Sequence, residues 1–402
     1  MYILLFFSLY FEVFLLVAYL QKRFTRIDST PLPLGKLPTV AVVVPCFNEE
    51  DTVELTMNSL LGLDYPAHLL QIIVVDDGST DKTWERVQQY AHDARVKLLQ
   101  KENGGKHTAM NFALEHIDAE LIGCLDADSV VEPDALQKIV PIFVNQKIAA
   151  VTPGIHVRNP ETMLQHMQNV EYKLSIFNRW IFAGLGSVFI TPGPFSFFRA
   201  SVLRELGGWK YAHSTEDMEL ALRIQIAGHL IANAPKAIVH TSTPRTYPKL
   251  FRQRVRWTYG WLRNAMDYWY MIGNRKYGNL GIIVLPTAII SIFTGLYFFF
   301  RILFYSVKEL WQTGERMYYG GFHGFHFSLD LFYVNTSALW FLVWVSVALI
   351  LVLISIGSLI GNGTRMPPKS TPIFLIFYSF LTPLWLGTAV VRAVFRTGVR
   401  WK

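Results

Sequence analysis

TVAVVVP, at residues 39–45, is a continuous apolar run made mainly of β-branched residues. Such a run is typical of a strand that is buried on both faces of a sheet. Further strands are predicted at residues 71–75, 96–100 and 121–125, and helices at residues 50–63, from residue 81 onward and at 106–116. Strands that alternate with helices predict a parallel α/β sheet. Ligands of such sheets bind beyond the carboxyl ends of the strands, so candidate site residues are expected there.

The overall composition indicates a membrane protein. The chain has 402 residues, of which 51% are hydrophobic and only 17% are charged, whereas soluble domains carry about a quarter charged residues. This balance excludes disordered, collagen-like and coiled-coil proteins. The net charge of +7 favours anionic partners such as lipid headgroups or phosphates. The two cysteines, Cys46 and Cys124, cannot form a disulfide framework, and we expect both to remain thiols.

The apolar residues are concentrated at the two ends of the chain. Residues 1–20 carry Glu12 as their only charge and are enough to cross a bilayer. Lys22, Arg23 and Arg26 follow this run, whereas a cleaved signal peptide carries its positive charges before the apolar run. We therefore predict an uncleaved membrane anchor with the next segment in the cytoplasm.

Five regions follow from this pattern. They are an N-terminal transmembrane helix at residues 1–21, a proline-punctuated linker at 22–38, a cytoplasmic domain at 39–250, interfacial amphipathic helices at 251–277 and a C-terminal transmembrane region at 278–402. In the last region, spans are predicted at residues 278–305, 331–360 and 371–391, separated by a mixed loop at 306–330 and a basic loop at 361–369.

The topology of the C-terminus stays open at this stage. Alternation through four spans places the basic loop inside, as the positive-inside rule requires. It also places Arg392, Arg396, Arg400 and Lys402 outside, against that rule. The sequence leaves open whether one C-terminal segment is re-entrant or interfacial.

Paired carboxylates end the second predicted strand, in the run Asp76-Asp77-Gly78-Ser79. Helix capping accounts for Ser79 and the residues after it but leaves both aspartates unexplained. Carboxylates at a strand end can also hold a nucleoside by hydrogen bonds to its base or ribose. Asn48 and Glu49 follow the first strand and would border the same crevice, although polar loop residues are common there.

A second acidic pair, Asp126-Ala127-Asp128, follows the strand at 121–125. The spacing of two places both side chains on one side of an extended backbone. Two hard oxygen ligands without a full cage suit Mg²⁺ or Mn²⁺, whose other ligands would be water and substrate phosphates. Asn103-Gly104-Gly105-Lys106 precedes a predicted helix and is either a phosphate contact or a glycine turn with a solvated lysine.

Two later stretches carry further candidates. Thr215-Glu216-Asp217 precedes an amphipathic helix at 218–227, where acids either complement the helix dipole or supply a general base. In the basic run at 252–257, helical spacing places Gln253, Arg256 and Trp257 on one face. A basic helix near a membrane most often binds anionic lipid headgroups. Arginine can also bind a diphosphate through two parallel hydrogen bonds, and tryptophan can stack on a sugar ring.

The order and spacing of these motifs resemble the membrane-embedded family-2 glycosyltransferases that polymerise nucleotide sugars. This group includes the poly-N-acetylglucosamine, chitin-oligosaccharide, hyaluronan and cellulose synthases. The matching motifs, in order, are Asp76-Asp77-Gly78-Ser79, Asp126-Ala127-Asp128, Thr215-Glu216-Asp217 and Gln253-Arg254-Val255-Arg256-Trp257. The resemblance covers about residues 40–261 closely and the flanking spans in general layout.

The resemblance implies an α/β GT-A domain, Rossmann-like with a mostly parallel sheet, that carries out inverting transfer from a UDP-sugar. By motif, it assigns catalysis to Asp217 with Glu216; donor binding to Asn48, Glu49, Asp76, Asp77, Lys106, Asp126, Gln253 and Arg256; acceptor binding to Trp257, Gly193 and Pro194; and a Mg²⁺ or Mn²⁺ ion to Asp126 and Asp128. It also implies a multi-pass protein of the cell membrane whose catalytic domain is cytoplasmic. The implied partners are the donor, a polysaccharide or lipid acceptor, membrane lipids and a small accessory membrane subunit, but no nucleic acid.

Three alternatives remain at the level of sequence. A lipid glycosyltransferase that adds a single sugar would share a closely related arginine–tryptophan motif. A channel or transporter with a nucleotide-sensing domain is disfavoured, because the predicted spans carry almost no charge apart from Glu12 and Arg301. A nucleotide binder without activity is disfavoured because all the catalytic carboxylates are present. The stretch 207–253 favours N-acetylglucosamine as the donor sugar, by its likeness to the poly-N-acetylglucosamine synthases.

Overall fold

A computed structural model describes residues 2–21, 37–321 and 338–397, and eight strands in these ranges form one mixed sheet. The strands are β1 (Val40–Cys46), β2 (Leu70–Asp76), β3 (Val96–Gln100), β4 (Leu121–Cys124), β5 (Ser129–Val131), β6 (Ile148–Val157), β7 (Ser196–Arg199) and β8 (Leu230–Thr241). The four strands predicted from the sequence are all present, within a residue or two of the expected bounds.

The sheet has the order β3-β2-β1-β4-β7-β6-β8-β5. Its first four strands are parallel, whereas β7 runs antiparallel to both β4 and β6, and β5 runs antiparallel to β8. In the parallel half, Cys46 is in register with Asp76, and Asp76 with Gln100. The carboxyl ends of β1, β2 and β3 therefore lie side by side and bring their following loops together.

The apolar run at residues 39–45, which predicted a strand buried on both faces, contributes side chains to two hydrophobic core layers. Val40, Val42 and Val44 of β1 pack into one hydrophobic cluster, and Ala41 and Val43 into the other. All five are at most 1% exposed. Because side chains alternate across a strand, only a continuous apolar run can fill the core on both faces.

Nine α-helices of the described residues end at or before residue 267. They are α2 (Val53–Leu61), α3 (Thr83–Gln88), α4 (Lys106–Leu114), α5 (Ala135–Ile139), α6 (Met163–Gly184), α7 (Ala200–Glu205), α8 (Glu216–Ile226) and α9 (Tyr247–Asp267), and α1 (Tyr2–Leu20) precedes them in the chain. Helix α6 begins with a capping box, in which the Thr162 side chain accepts from the Gln165 amide at 3.2 Å. The predicted interfacial region at 251–277 consists of the greater part of α9 and two short turns, Trp269–Met271 and Arg275–Tyr277.

Within the described residues, four helices are long and apolar enough to cross a membrane. They are α1, α10 (Leu280–Gly320), α11 (Ala338–Asn362) and α12 (Thr371–Phe395). Leu15 of α1 and Leu353 of α11 share a hydrophobic cluster with Phe177 of α6, so these apolar helices pack directly on the globular part. The Glu12 carboxylate accepts from Ser346 Oγ at 3.0 and 3.1 Å and links α1 to α11.

One sequence expectation is wrong and others lie outside the described residues. The mixed loop expected from residue 306 is helical as far as Gly320. Helix-forming residues and pairs one turn apart, such as Trp311 donating to Glu315 at 2.9 Å, extend α10 beyond its apolar part. The rest of that loop, most of the 22–38 linker with its basic residues, the first part of the span at 331–360, and Arg400 and Lys402 lie outside the described residues.

Candidate active site

The loops after β1 and β2 are joined by hydrogen bonds and form one wall. Asn48, in the left-handed region with φ of 57°, accepts from the Thr80 amide at 2.9 Å and donates its own amide to Ser79 Oγ at 3.0 Å. The Glu49 amide donates to Thr83 Oγ1 at 2.7 Å. The structure thus places Asn48 and Glu49 next to the loop that follows the Asp76-Asp77 pair.

The two aspartates at the end of β2 have different surroundings. Asp76 is fully buried and accepts from the Ser79 amide at 3.2 Å and from Gln100 Nε2 at 2.9 Å. It therefore holds the turn and the neighbouring strand end. Asp77, 3% exposed, turns towards the loop that precedes α4.

That loop is held by the Asp77 carboxylate. Lys101 Nζ and the Gly104 amide donate to Asp77 Oδ1 at 2.8 and 3.1 Å, and the Gly105 amide donates to Oδ2 at 2.8 Å. Gly78, with φ of +75°, lies against the Asn103 backbone where a side chain would collide with it. The loop at 101–105 is thereby fixed beside the end of β2, and it leads directly into Lys106.

Lys106 lies at the centre of a charged cluster. Its Nζ forms a salt bridge of 2.5 Å with Asp126 Oδ1 and lies 4.0 Å from Glu216 Oε1. Burial alone would lower the pKa of Lys106, but Asp126 and Glu216 hold it well above its ordinary value. Gly193 completes the cluster, because a Cβ atom at this position would overlap Lys106 Nζ and both Asp126 carboxylate oxygens. Residues separated by up to 110 positions along the chain thus meet here.

Asp128 is the more enclosed member of the acidic pair. Its Oδ1 accepts from Ser129 Oγ at 3.0 Å. Burial, with the neighbouring charge of Asp126, raises the pKa of Asp128 to about 6. Two nearby carboxylates that are costly to ionise together form a site that favours a cation.

The residues present fit a hard divalent ion. Asp126 and Asp128 offer carboxylate oxygens, and the Asp126 side chain is 33% exposed. No cluster of three or more His, Cys, Asp or Glu ligands occurs among residues 2–21, 37–321 and 338–397. The protein would thus supply two ligands, and the remaining positions would go to water and substrate phosphates, as Mg²⁺ and Mn²⁺ sites commonly arrange.

Asp217 lies in the first turn of α8. Its backbone carbonyl accepts from the Thr191 amide at 3.1 Å and from Thr191 Oγ1 at 2.8 Å, so the loop that carries Gly193 and Pro194 is tied to it. Burial, followed by the charge of Glu216, raises the pKa of Asp217 to about 7. A carboxyl group with this pKa can accept a proton near neutral pH, which is the property of a general base.

Helix α9 packs against the loop that leads to Asp217. Asn264 Nδ2 donates to Thr215 Oγ1 at 2.8 Å. Gly260 lies so close to Thr215 that a Cβ atom would overlap its side chain. Trp257 lies about one turn before this contact and is 38% exposed. The basic, tryptophan-bearing helix is therefore adjacent to the carboxylate cluster, and Gln253 and Arg256 lie half-buried on it.

Sequence reasoning missed four residues around this site. Lys101 holds Asp77, and Arg254, Glu171 and Tyr378 form a buried network next to Trp257. Lys101 had a local signal, since it stands two positions before the Asn103-Gly104-Gly105 turn. Arg254 lies within the basic motif, but no local signal links it to Glu171 and Tyr378, because these two residues come from helices that are far away in the sequence.

The chain is similar to known glycosyltransferases. The model of the family described as "Glycosyltransferase like family 2" matches residues 38–260. The chain is 29% identical over 283 residues to the poly-β-1,6-N-acetyl-D-glucosamine synthase of Staphylococcus epidermidis, covering 68% of each protein. It is also 29% identical over 267 residues to the same-named synthase of Staphylococcus aureus strain MSSA476, spanning 64% of that enzyme.

A solved structure shows the same fold along nearly the whole chain. The mannosyltransferase of Pyrobaculum calidifontis, determined with GDP-mannose and Mn²⁺, superposes with a TM-score of 0.59 and 17% identity over 98% of this chain and 99% of that one. The fold is therefore that of a GT-A glycosyltransferase with apolar helices at both ends, as the sequence predicted.

The chain belongs to glycosyltransferase family 2. Within it, the likeness to poly-N-acetylglucosamine synthases confirms the predicted group of membrane-embedded enzymes, and with it the prediction of a hexosyltransferase.

Proposed function

We propose that this protein is an inverting, processive glycosyltransferase that adds N-acetylglucosamine from UDP-N-acetylglucosamine to a growing polysaccharide. The observation that carries the proposal is the convergence of Lys106, Asp126, Gly193, Glu216 and Asp217 in one cluster next to the tryptophan-bearing helix α9. The 29% sequence identity to two staphylococcal poly-N-acetylglucosamine synthases supports UDP-N-acetylglucosamine as the donor and a polymer as the product. Export coupled to synthesis is part of the proposal, supported by the apolar helices that pack on the catalytic part.

The proposed reaction is a single displacement. An acceptor hydroxyl oxygen attacks the anomeric carbon, the bond from that carbon to the diphosphate oxygen breaks, and UDP leaves with the bonding electrons. Asp217 receives the hydroxyl proton, which its raised pKa of about 7 permits. Attack opposite the leaving group inverts the anomeric configuration, and no covalent enzyme intermediate is needed.

Leaving-group stabilisation is assigned to the basic residues and the acidic pair of the site. Lys106, and Arg256 on α9, would place positive charge near the diphosphate. When bound, a Mg²⁺ or Mn²⁺ ion held by Asp126 and Asp128 would supply additional charge for the departing diphosphate. The wall formed by Asn48, Glu49 and the Asp77-held loop would receive the nucleoside.

We also propose the membrane arrangement expected from the sequence. The four apolar helices would span the cell membrane and leave the catalytic part, about residues 39–250, on the cytoplasmic side. This side supplies nucleotide sugars. Residues 251–277 would lie in the headgroup region, where exposed Trp269 and Tyr270 suit the membrane interface. A small accessory membrane subunit and lipid contacts complete the proposal.

The test offers washed membranes each UDP-sugar in turn with Mg²⁺ or Mn²⁺ and then sizes the product. We expect a ladder of N-acetylglucosamine oligomers from the wild type and none from the Asp217→Asn variant. A single glycolipid would support the alternative, a non-processive lipid glycosyltransferase. Absence of transfer from every UDP-sugar would refute both. Inside-out vesicles should use external donor, whereas right-side-out vesicles should not, because a nucleotide sugar does not cross the bilayer.

A further inference from the structure

A buried ionic network surrounds Arg254, the residue that follows Gln253 in the basic motif of α9. Arg254 is 4% exposed, and its Nη2 donates to Glu171 Oε2 at 2.6 Å. The Tyr378 hydroxyl donates to the same Glu171 oxygen at 2.6 Å and lies 3.5 Å from Arg254 Nη2. One carboxylate oxygen therefore joins an arginine and a tyrosine that are 124 positions apart.

The other side of the guanidinium group faces the site residues of α9. Its Cζ lies 4.4 Å from the centroid of the Trp257 ring, within the range of a cation–π contact. Its Nη1 donates to Gln253 Oε1 at 3.2 Å. Arg254 thus holds one side of the Trp257 ring, and 38% of Trp257 remains exposed. Arg254 contacts two candidate site residues and is itself too buried to meet a substrate.

The network also connects three helices. Glu171 lies on α6, Arg254 on α9 and Tyr378 on the apolar helix α12. The Tyr378 ring packs against Phe374 and Trp385 of its own helix, with centroids 4.9 and 5.4 Å away. Tyr378 is 6% exposed, so its hydroxyl is fixed in place. Any tilt of α12 would therefore displace Arg254 and, with it, the Trp257 ring.

A buried ion pair is a weak source of stability, because desolvation offsets its Coulomb energy, and apolar residues can often replace it. It does impose geometry, since each partner must meet the other at hydrogen-bond distance. Here the geometry that the ion pair imposes includes the position of Trp257, the side chain assigned to acceptor binding. We propose that Arg254 is a positioning residue for sugar transfer, which with Glu171 and Tyr378 holds the Trp257 indole at the acceptor end of the site and ties it to helix α12. This inference rests on the proposed function for the role of Trp257.

The kinetic experiment uses the purified full-length chain with UDP-N-acetylglucosamine and short N-acetylglucosamine oligosaccharides as acceptors. Arg254→Met should raise the acceptor KM roughly tenfold, the scale of one lost cation–π contact with its ion pair, and leave UDP affinity within about twofold. Arg254→Lys keeps the positive charge and should recover most of this loss. Arg252→Met, a change of the same kind at an exposed position of the same helix, should behave as the wild type.

A double-mutant cycle separates positioning from general damage. In a Trp257→Ala background, Arg254→Met should change the acceptor KM by less than about twofold, because its effect acts through the missing ring. An equal loss in both backgrounds would overturn the proposal. Tyr378→Phe removes only the hydroxyl and should raise the acceptor KM about threefold; this variant tests the network even where Arg254→Met does not fold. An unchanged KM in Tyr378→Phe would likewise contradict the tie to α12.

A spectroscopic readout is independent of activity. In protein labelled with 5-fluorotryptophan, the Trp257 ¹⁹F resonance is assigned by its absence from Trp257→Phe. Arg254→Met and Tyr378→Phe should shift this resonance, and Arg252→Met should not. An unmoved resonance would overturn the inference even if the wild type transfers sugar normally. A shifted resonance in a protein that transfers no sugar would instead contradict the proposed function and leave the positioning contact standing.

Discussion

The pH dependence of transfer should follow the ionisation of Asp217. Burial and the neighbouring Glu216 carboxylate raise the pKa of Asp217 from 3.8 to about 7. Because a general base acts in its ionised form, activity should be lost as the pH falls through this value. A group with a pKa of about 7 is about 9% ionised at pH 6 and about 91% ionised at pH 8. The rate at pH 6 should thus be about a tenth of the rate at pH 8.

The informative perturbation is Glu216→Gln, which removes the second-largest cause of the raised pKa. Removing one neighbouring like charge from a partly buried site lowers a carboxyl pKa by about one unit. The acid limb should therefore move from about pH 7 to about pH 6, and the variant should keep about half of its own plateau rate at pH 6, where the wild type keeps about a tenth. Glu205→Gln removes the same charge from an exposed position on α7 and should leave the limb in place.

The assay is kcat/KM over pH 5 to 9 at constant ionic strength and saturating divalent ion, because this ratio reports the free enzyme's ionisations. Each profile is normalised to its own plateau, so a loss of absolute rate in Glu216→Gln does not affect the midpoint. A flat profile between pH 5 and 8, or an acid limb that Glu216→Gln fails to move, would show that Asp217 is not the base.

Further predictions concern the other parts of the site. Asp217→Asn should reduce transfer at least about a thousandfold while UDP affinity, measured by calorimetry, stays within about threefold; wild-type turnover would remove the base assignment. Chelation of divalent ions should abolish transfer and Mg²⁺ or Mn²⁺ should restore it, but not in Asp128→Asn, where rescue by either ion would contradict the metal assignment. Gly193→Ala introduces a methyl group onto the salt bridge beside it and should lower kcat/KM by about tenfold or more, whereas Gly314→Ala, at an open position of α10, should have no effect. Asp76→Asn should lower the free energy of unfolding by about 1–3 kcal/mol in a denaturant titration, because a fully buried hydrogen-bonding group is altered; a selective loss of donor binding with normal stability would instead place that residue in the nucleoside pocket.

Much of the fold was predictable because its signals are local. The β-branched run of β1 reports burial on both faces, and the two core layers that its alternate residues enter confirm this. The apolar helices are equally predictable from the sequence, since their length and composition alone are sufficient to cross a bilayer. The limit of α10 was misjudged because hydropathy ends before the helix does. Helix-forming polar residues extend α10 beyond its apolar part, as far as Gly320.

The candidate site was predictable only as a set of residue types. Neighbouring aspartates such as Asp76 and Asp77 look alike in sequence, yet one holds a turn and the other holds the loop before Lys106. The reversal of β7 between β4 and β6, likewise, has no local signature in the sequence.

By itself, then, the sequence determined the elements, the apolar helices and the chemical groups available for catalysis, because each depends on neighbours within a few positions. Only the tertiary structure decided that Lys106 pairs with Asp126 and that Arg254 joins Trp257 to Tyr378. These contacts depend on which strands lie side by side and which helices pack together. That choice minimises the free energy of the whole chain, and no short segment records it.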